Sequence, residues 1–226
     1  MKRIIAEDIL KYFNNEIKKE SFIPDIKFDI DKSQIDLIYP LIGKLAYAHI
    51  YYDNVSEELI YELLEPEISD EERILIEKVK QYILDEMYKD PEEFLNKNKE
   101  YVLIKKLEEF VNKYKIKIDK DLFIKYYYYL WRDMLGYEKI HPLFYDIFIE
   151  DISCDGYDIP IYVHHNKFGI LKTNIILSRD ELDKFIVKLA QKAGKHISYA
   201  EPILDATLPD GSRVNATYSQ EITTHG

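Results

Sequence analysis

One cation presented by a tight turn is the sharpest chemical feature of the sequence. An apolar run from Pro202 to Leu208 leads into Pro209-Asp210-Gly211, then Ser212, Arg213 and a second apolar run from Val214. Aspartate in such a turn can bond its own backbone and glycine accepts a positive φ, so these residues predict a hairpin with Arg213 entering its second strand. Asp210 and Gly211 are expected to shape the turn. On residue type alone, Arg213 reads as a solvated surface arginine.

Other reactive residue types are less focused. A Walker-type phosphate loop needs Gly-x-x-x-x-Gly-Lys-Ser/Thr, so that backbone N–H groups cradle phosphate and the lysine neutralises it. Gly43-Lys44 and Gly194-Lys195 have neither the preceding glycine nor the following hydroxyl. His164 and His165 are adjacent in a strand-like run, which points them to opposite faces and away from a shared metal. His196 and His225 have no carboxylate or cysteine at ligand spacing. The acidic pairs Glu71-Glu72 and Glu92-Glu93 fit helix N-termini better than acid/base catalysis. Cys154, with no histidine nearby in sequence, is a poor nucleophile. No catalytic residue and no metal site is expected. Four consecutive tyrosines, Tyr126 to Tyr129, precede Trp131; core packing is the default, but a helix turns four successive side chains around its circumference, so some are expected to emerge.

Composition bounds the remaining classes. The chain has 226 residues and 46% hydrophobic content, enough for one large domain or two small ones around a real core. A net charge of −11 argues against a nucleic acid partner, since phosphate binding draws on clustered Lys and Arg. One cysteine allows no internal disulfide, and the chain reads as intracellular. The start, Met1-Lys2-Arg3-Ile4-Ile5-Ala6-Glu7-Asp8, reaches charge too soon for a signal peptide, and no eighteen apolar residues run uninterrupted.

The elements that must position these residues follow from patterning. The first 40 residues carry short apolar clusters without an assignable period. Leu45–Tyr52 and Leu59–Leu64, separated by Asp53-Asn54-Val55-Ser56, predict a β-hairpin. Ser69-Asp70-Glu71-Glu72 has the form of a capping box, and Ile76, Val79, Ile83 and Met87 continue a helix to about Tyr88, before Asp90-Pro91. Leu103, Leu107, Phe110, Val111 and Tyr114 mark a second helix. A third runs from Asp119 to Gly136, where a left-handed cap is expected. Beyond His141-Pro142, Ile147–Asp151, Ile159–His164 and Ile170–Leu177 read as strands. Ser178-Arg179-Asp180-Glu181 then caps a helix that ends at Gly194. The expected class is α+β: an N-terminal hairpin and three-helix subdomain over residues 1–139, then a PAS-like α/β sandwich over 140–226.

The order of phrases in residues 140–226 resembles the N-terminal domain of the type II/IV secretion ATPases, in particular the archaeal pilus and archaellum assembly motors. The phrases are His141-Pro142-Leu143, Ile149-Glu150-Asp151-Ile152-Ser153 with Asp155-Gly156, Pro160 to His165 with Phe168-Gly169, Lys188 to Lys195, and Leu208-Pro209-Asp210-Gly211-Ser212-Arg213-Val214. Weaker similarity reaches Leu59 to Glu62 and Glu65-Pro66. The resemblance implies a regulatory, partner-docking domain of a hexameric ATPase, cut before a motor domain that binds ATP and Mg; the fragment itself is expected neither to hydrolyse ATP nor to bind nucleotide tightly. It implies that Arg213 approaches the nucleotide in the cleft, with Asp210 and Gly211 as secondary contacts. It further implies partners: the chain's own C-terminal motor domain, neighbouring subunits, and a membrane platform or accessory protein; the emergent tyrosines, such as Tyr128 and Tyr129, with the helical subdomain generally, are the candidate surface for that last partner. The implied location is cytoplasmic, at the inner face of the cytoplasmic membrane. The alternative is a freestanding cytoplasmic adaptor or sensory module with no nucleotide role.

Overall fold

The structure, a computed structural model, describes residues 6–17, 31–96 and 98–218. The expectations placed on Met1 to Ile5 and on His225 lie outside these residues.

A first helix, α1 (Ala6–Ile17), buries Ala6, Ile9 and Phe13, a three-and-four spacing that the charged surroundings obscured. Three strands follow, β1 (Asp36–Ile42), β2 (Ala46–Asp53) and β3 (Glu58–Leu64), so the expected hairpin is present with a further strand before it. β1 carries Pro40, which removes a backbone donor, and it lies at one edge of its sheet, where that loss is tolerated.

Helices α2 (Asp70–Lys89), α3 (Pro91–Asn96), α4 (Lys99–Lys113) and α5 (Lys120–Leu130) come next. The Ser69 box is formed, with Ser69 Oγ accepting from the Glu72 amide and the Glu72 carboxylate accepting from the Ser69 amide. Asp90-Pro91 stops α2 as expected and also starts α3, because proline suits a first helical position whose N–H has no partner to lose.

Two expectations are corrected in this region. The third helix does not end on a left-handed glycine: α5 passes into a π-helical turn, Trp131–Leu135, and Gly136 is extended at φ −85°, ψ −154°. A side chain is excluded there by packing, since a Cβ at Gly136 would sit 2.3 Å from Cδ2 of His141. Nor do any of the four tyrosines emerge. Tyr126, Tyr127, Tyr128 and Tyr129 are all buried, so Tyr128 and Tyr129 offer no exposed docking face. The helix carries them through protein on every side: Phe13 stands edge-on to Tyr127 at 4.7 Å, the Tyr128 hydroxyl donates to the Glu65 carboxylate, and the Tyr129 hydroxyl donates to the Pro66 carbonyl.

After a 3-10 segment, Glu138–Tyr145, come β4 (Ile149–Ser153), β5 (Pro160–His165), β6 (Gly169–Ile176), α6 (Arg179–Lys192), β7 (Ile203–Thr207) and β8 (Arg213–Thr217). The six-stranded sheet has the order β1-β2-β3-β6-β5-β4, and β7 pairs only with β8. β3 and β6 run parallel, with Ile60 opposite Lys172, while β4, β5 and β6 are antiparallel neighbours. The fold class is therefore α+β, with a mixed sheet.

The described residues fall into two compact units that interleave along the chain. Among the described residues, one draws on 6–17, 37–49, 63–96 and 98–146; the other on 31–36, 50–62 and 147–218. In the second unit, α6 buries Leu182, Phe185, Ile186, Leu189 and Ala190, and β6 buries Leu171, Thr173 and Ile175 at alternate positions. The Ser178–Glu181 capping box is formed, and Gly194 ends α6 in the left-handed region at φ +66°, with Lys195 N–H donating to Ala190 O at 2.8 Å.

Candidate functional site

The hairpin that carries Arg213 is built as the sequence predicts. Strands β7 and β8 pair antiparallel from Ile203 opposite Thr217 to Thr207 opposite Arg213. Leu204, Ala206 and Leu208 are buried, which pins one face of β7 to the unit and turns the alternate residues outward. The turn closes through Leu208 N–H donating to Ser212 O at 2.8 Å and Gly211 N–H donating to Leu208 O at 2.9 Å.

Gly211 has φ +92°, a conformation that disfavours any side chain, and an Asp210 carboxylate oxygen accepts from the Ser212 amide at 2.8 Å. Both residues thus have a turn-forming job. Arg213 follows directly, exposed, and makes no ion pair with another described residue. An ordered turn ending in an outward guanidinium can offer fixed N–H donors to an anion brought against the hairpin.

The histidines divide as the strand geometry requires. His164 is exposed and its Nδ1 lies 3.1 Å from the Glu150 carboxylate, whereas His165 is fully buried between the stacked rings of Phe148 and Phe168, at 5.2 and 5.0 Å. Burial, helped by the charges of Lys167 and His164, lowers the His165 pKa to about 4. Its Nδ1 accepts from the Lys167 amide. Cys154 is exposed, yet local desolvation pushes its thiol up, with Asp155 adding to the rise and a contact to Gly156 O opposing it. Among the described residues, no group of three or more His, Cys, Asp or Glu is placed to hold a metal ion, and no helix is long and apolar enough to cross a membrane.

In the first unit, sequence reasoning missed a buried polar network. Arg132 is only 8% exposed; its Nη1 donates to both Glu65 oxygens at 2.8 and 2.7 Å, and its Nε donates to Asp133 at 2.6 Å. The other Asp133 oxygen meets Lys80 Nζ at 2.6 Å, and the guanidinium lies 4.7 Å above the Tyr129 ring. Burial alone would raise the Asp133 carboxyl, but Arg132 and Lys80 outweigh it and hold the group below its ordinary range. Burial first, and Glu65 second, push the Tyr128 hydroxyl well up. The one readable signal was an Arg-Asp pair directly after the apolar and aromatic run Tyr126 to Trp131. Its members satisfy one another, which makes the network structural rather than catalytic.

These features define an α+β protein with an ordered, arginine-tipped hairpin. No protein-family model matches the chain. It is 37% identical over 228 residues to Uncharacterized protein MJ1288 of Methanocaldococcus jannaschii, a match covering 95% of this chain and 89% of that protein. The chain belongs to the same family as MJ1288. It is also 30% identical over 241 residues to Uncharacterized protein MJ0900 of the same organism, a match that covers 96% of the chain but 43% of that protein. Uncharacterized protein MJ0781, again from M. jannaschii, is 41% identical over 100 residues, 44% of the chain and 14% of that protein. The chain thus spans less than half the length of these two longer relatives.

Proposed function

We propose that the chain acts as the N-terminal regulatory and partner-docking domain of a hexameric secretion, pilus or archaellum assembly ATPase, with Arg213 facing the nucleotide cleft of the motor. The observation that carries this reading is the exposed Arg213 guanidinium, set at the end of a hydrogen-bonded turn whose Asp210 and Gly211 are committed to shaping it. The ordered phrases of residues 140–226 support it, as does the recurrence of the homologous region as 43% of a longer protein. ATP and Mg would bind the motor, and docking would place the domain at the cytoplasmic face of the membrane, beside neighbouring subunits and a membrane platform or accessory protein.

The chemistry asked of Arg213 is electrostatic. A guanidinium close to the phosphates stabilises charge as it develops during phosphoryl transfer, and its withdrawal after phosphate loss shifts the domain. ATP hydrolysis is measured for the full gene product and for its Arg213→Ala variant under identical salt and magnesium. The expected result is a loss of at least about tenfold in kcat. An active protein indifferent to the substitution returns Arg213 to the solvent.

A second reading, a freestanding adaptor with no nucleotide role, is favoured by MJ1288, of which the same region makes up 89%. A gene product that neither binds nor hydrolyses ATP, with or without Arg213, selects it.

A further inference from the structure

The outward face of the second unit's sheet carries exposed isoleucines among its polar side chains. On β6, Ile170, Lys172, Asn174 and Ile176 all point outward and are exposed, Ile170 at 75%. Register places Tyr162 of β5 and Ile60 of β3 on either side of Lys172, and His164 and Asp151 in line with Ile170. Lys172 thus lies between Ile60 and Tyr162, with the exposed Ile170 and Ile176 on the same strand. Parallel strands such as β3 and β6 are ordinarily covered on both faces, so exposed isoleucines on their outward side mark a candidate interaction site.

The charges around these residues state what covers them. Glu58 and Glu62 lie on the outward side of β3, Asp53 is near enough to Lys172 to feel its charge, and Asp151 stands in the Ile170 row. This side of the sheet thus carries four carboxylates against one lysine, in a chain whose net charge is −11. A second copy of the chain would bring the same negative rim against this one, and an anionic membrane surface would be repelled. We infer that this face docks a cationic amphipathic segment of another protein, one that places apolar side chains on Ile60, Ile170 and Tyr162 and Lys or Arg against the acidic rim. This inference stands independently of the nucleotide role of Arg213.

The probe is a fluorescein-labelled 13-residue peptide of alternating Leu and Lys, with a Leu/Glu peptide of equal length as its charge-reversed control, titrated by anisotropy and by backbone NMR of the full chain. The Leu/Lys peptide is expected to bind saturably and to shift resonances of β3, β5 and β6. Ile170→Ser should weaken binding about fivefold, the loss expected from uncovering one aliphatic side chain. Glu62→Gln with Asp151→Asn should weaken it further and flatten its salt dependence. Ile170 is exposed, so its substitution leaves the core untouched, and unchanged spectra outside the sheet verify this.

Glu77→Gln with Asp85→Asn on α2 removes the same charge elsewhere and should have no effect. If that variant weakens binding as much as the sheet variants do, the attraction is only to net charge and the inference fails. It fails equally if Ile170→Ser binds normally, if the Leu/Glu peptide binds as well, or if sedimentation shows the chain to be a dimer that Ile170→Ser dissociates.

Discussion

Replacing Glu65 with alanine tests whether the buried network holds the first unit together. Glu65 accepts two hydrogen bonds from Arg132, at 2.8 and 2.7 Å, and one from the Tyr128 hydroxyl at 2.6 Å. Its loss strands a guanidinium that is 8% exposed and a phenol that is fully buried. Removing one partner of a buried ion pair ordinarily costs about 3–5 kcal/mol. Arg132 keeps its bond to Asp133, so the lower end, about 3 kcal/mol, is expected, equivalent to roughly 6–12 °C in Tm for a chain of this size. Trp131, the only tryptophan of the chain and next to Arg132, reports the transition by fluorescence in urea. The double variant Glu65→Leu/Arg132→Met, which replaces the pair with apolar groups, should recover most of the loss, because neither charge then remains buried alone. A cost below about 1 kcal/mol for Glu65→Ala, or a double variant worse than the single, would refute the assignment of Glu65 as the partner that compensates Arg132.

Three further outcomes are expected. The folded His165 pKa of about 4 lies below the 6.5 of an exposed imidazole, so the unfolded state takes up the proton first. Its contribution to stability is therefore full above pH 6.5 and falls away toward pH 4, by at most about 3 kcal/mol; unfolding curves between pH 7 and 4.5 should show this slope, and His165→Phe should flatten it. Gly136→Ala should cost about 1–3 kcal/mol through collision with the His141 ring and the Arg132 carbonyl although its backbone is unstrained, whereas Gly194→Ala, with open space around it, should cost about 1–2 kcal/mol from its positive φ alone. A His141→Ala background should relieve part of the cost of Gly136→Ala, since the Arg132 carbonyl 2.6 Å from the new Cβ remains, and leave Gly194→Ala unchanged; thermal melts of the four variants decide it. The ATPase comparison of Arg213→Ala completes the set.

The local rules carried well wherever a few adjacent residues decide the outcome. Both Ser-x-x-Glu capping boxes formed, Gly194 closed its helix in the left-handed region, and Pro209-Asp210-Gly211 made its turn with Arg213 leading β8. Each is settled within about four residues, by side-chain oxygens reaching nearby amides or by the steric freedom of glycine. The same locality made the candidate site legible: the position of Arg213 follows from the turn that precedes it, and the opposite facing of His164 and His165 follows from strand pleating.

Where a residue's setting depends on chain far away in sequence, that reading ran out. Tyr128 and Tyr129 look amphipathic on a helical wheel, but Glu65 and Pro66, more than sixty residues earlier, arrive to take their hydroxyl protons and close the surface over them. Arg132 is enclosed by Glu65, Asp133 and Tyr129, and of these only Asp133 is its neighbour in sequence. Gly136 resembled a cap, yet the reason for glycine is the ring of His141 together with the Arg132 carbonyl. The parallel pairing of β3 with β6 joins strands more than a hundred residues apart, and it alone gathers Ile60, Tyr162 and Ile170 on one face. Periodicity and caps determine which segments become helix, strand or turn, because those energies act between near neighbours. Which polar groups are buried, which apolar ones stay outside, and what they meet is decided by long-range packing, because desolvation depends on everything that closes around a group.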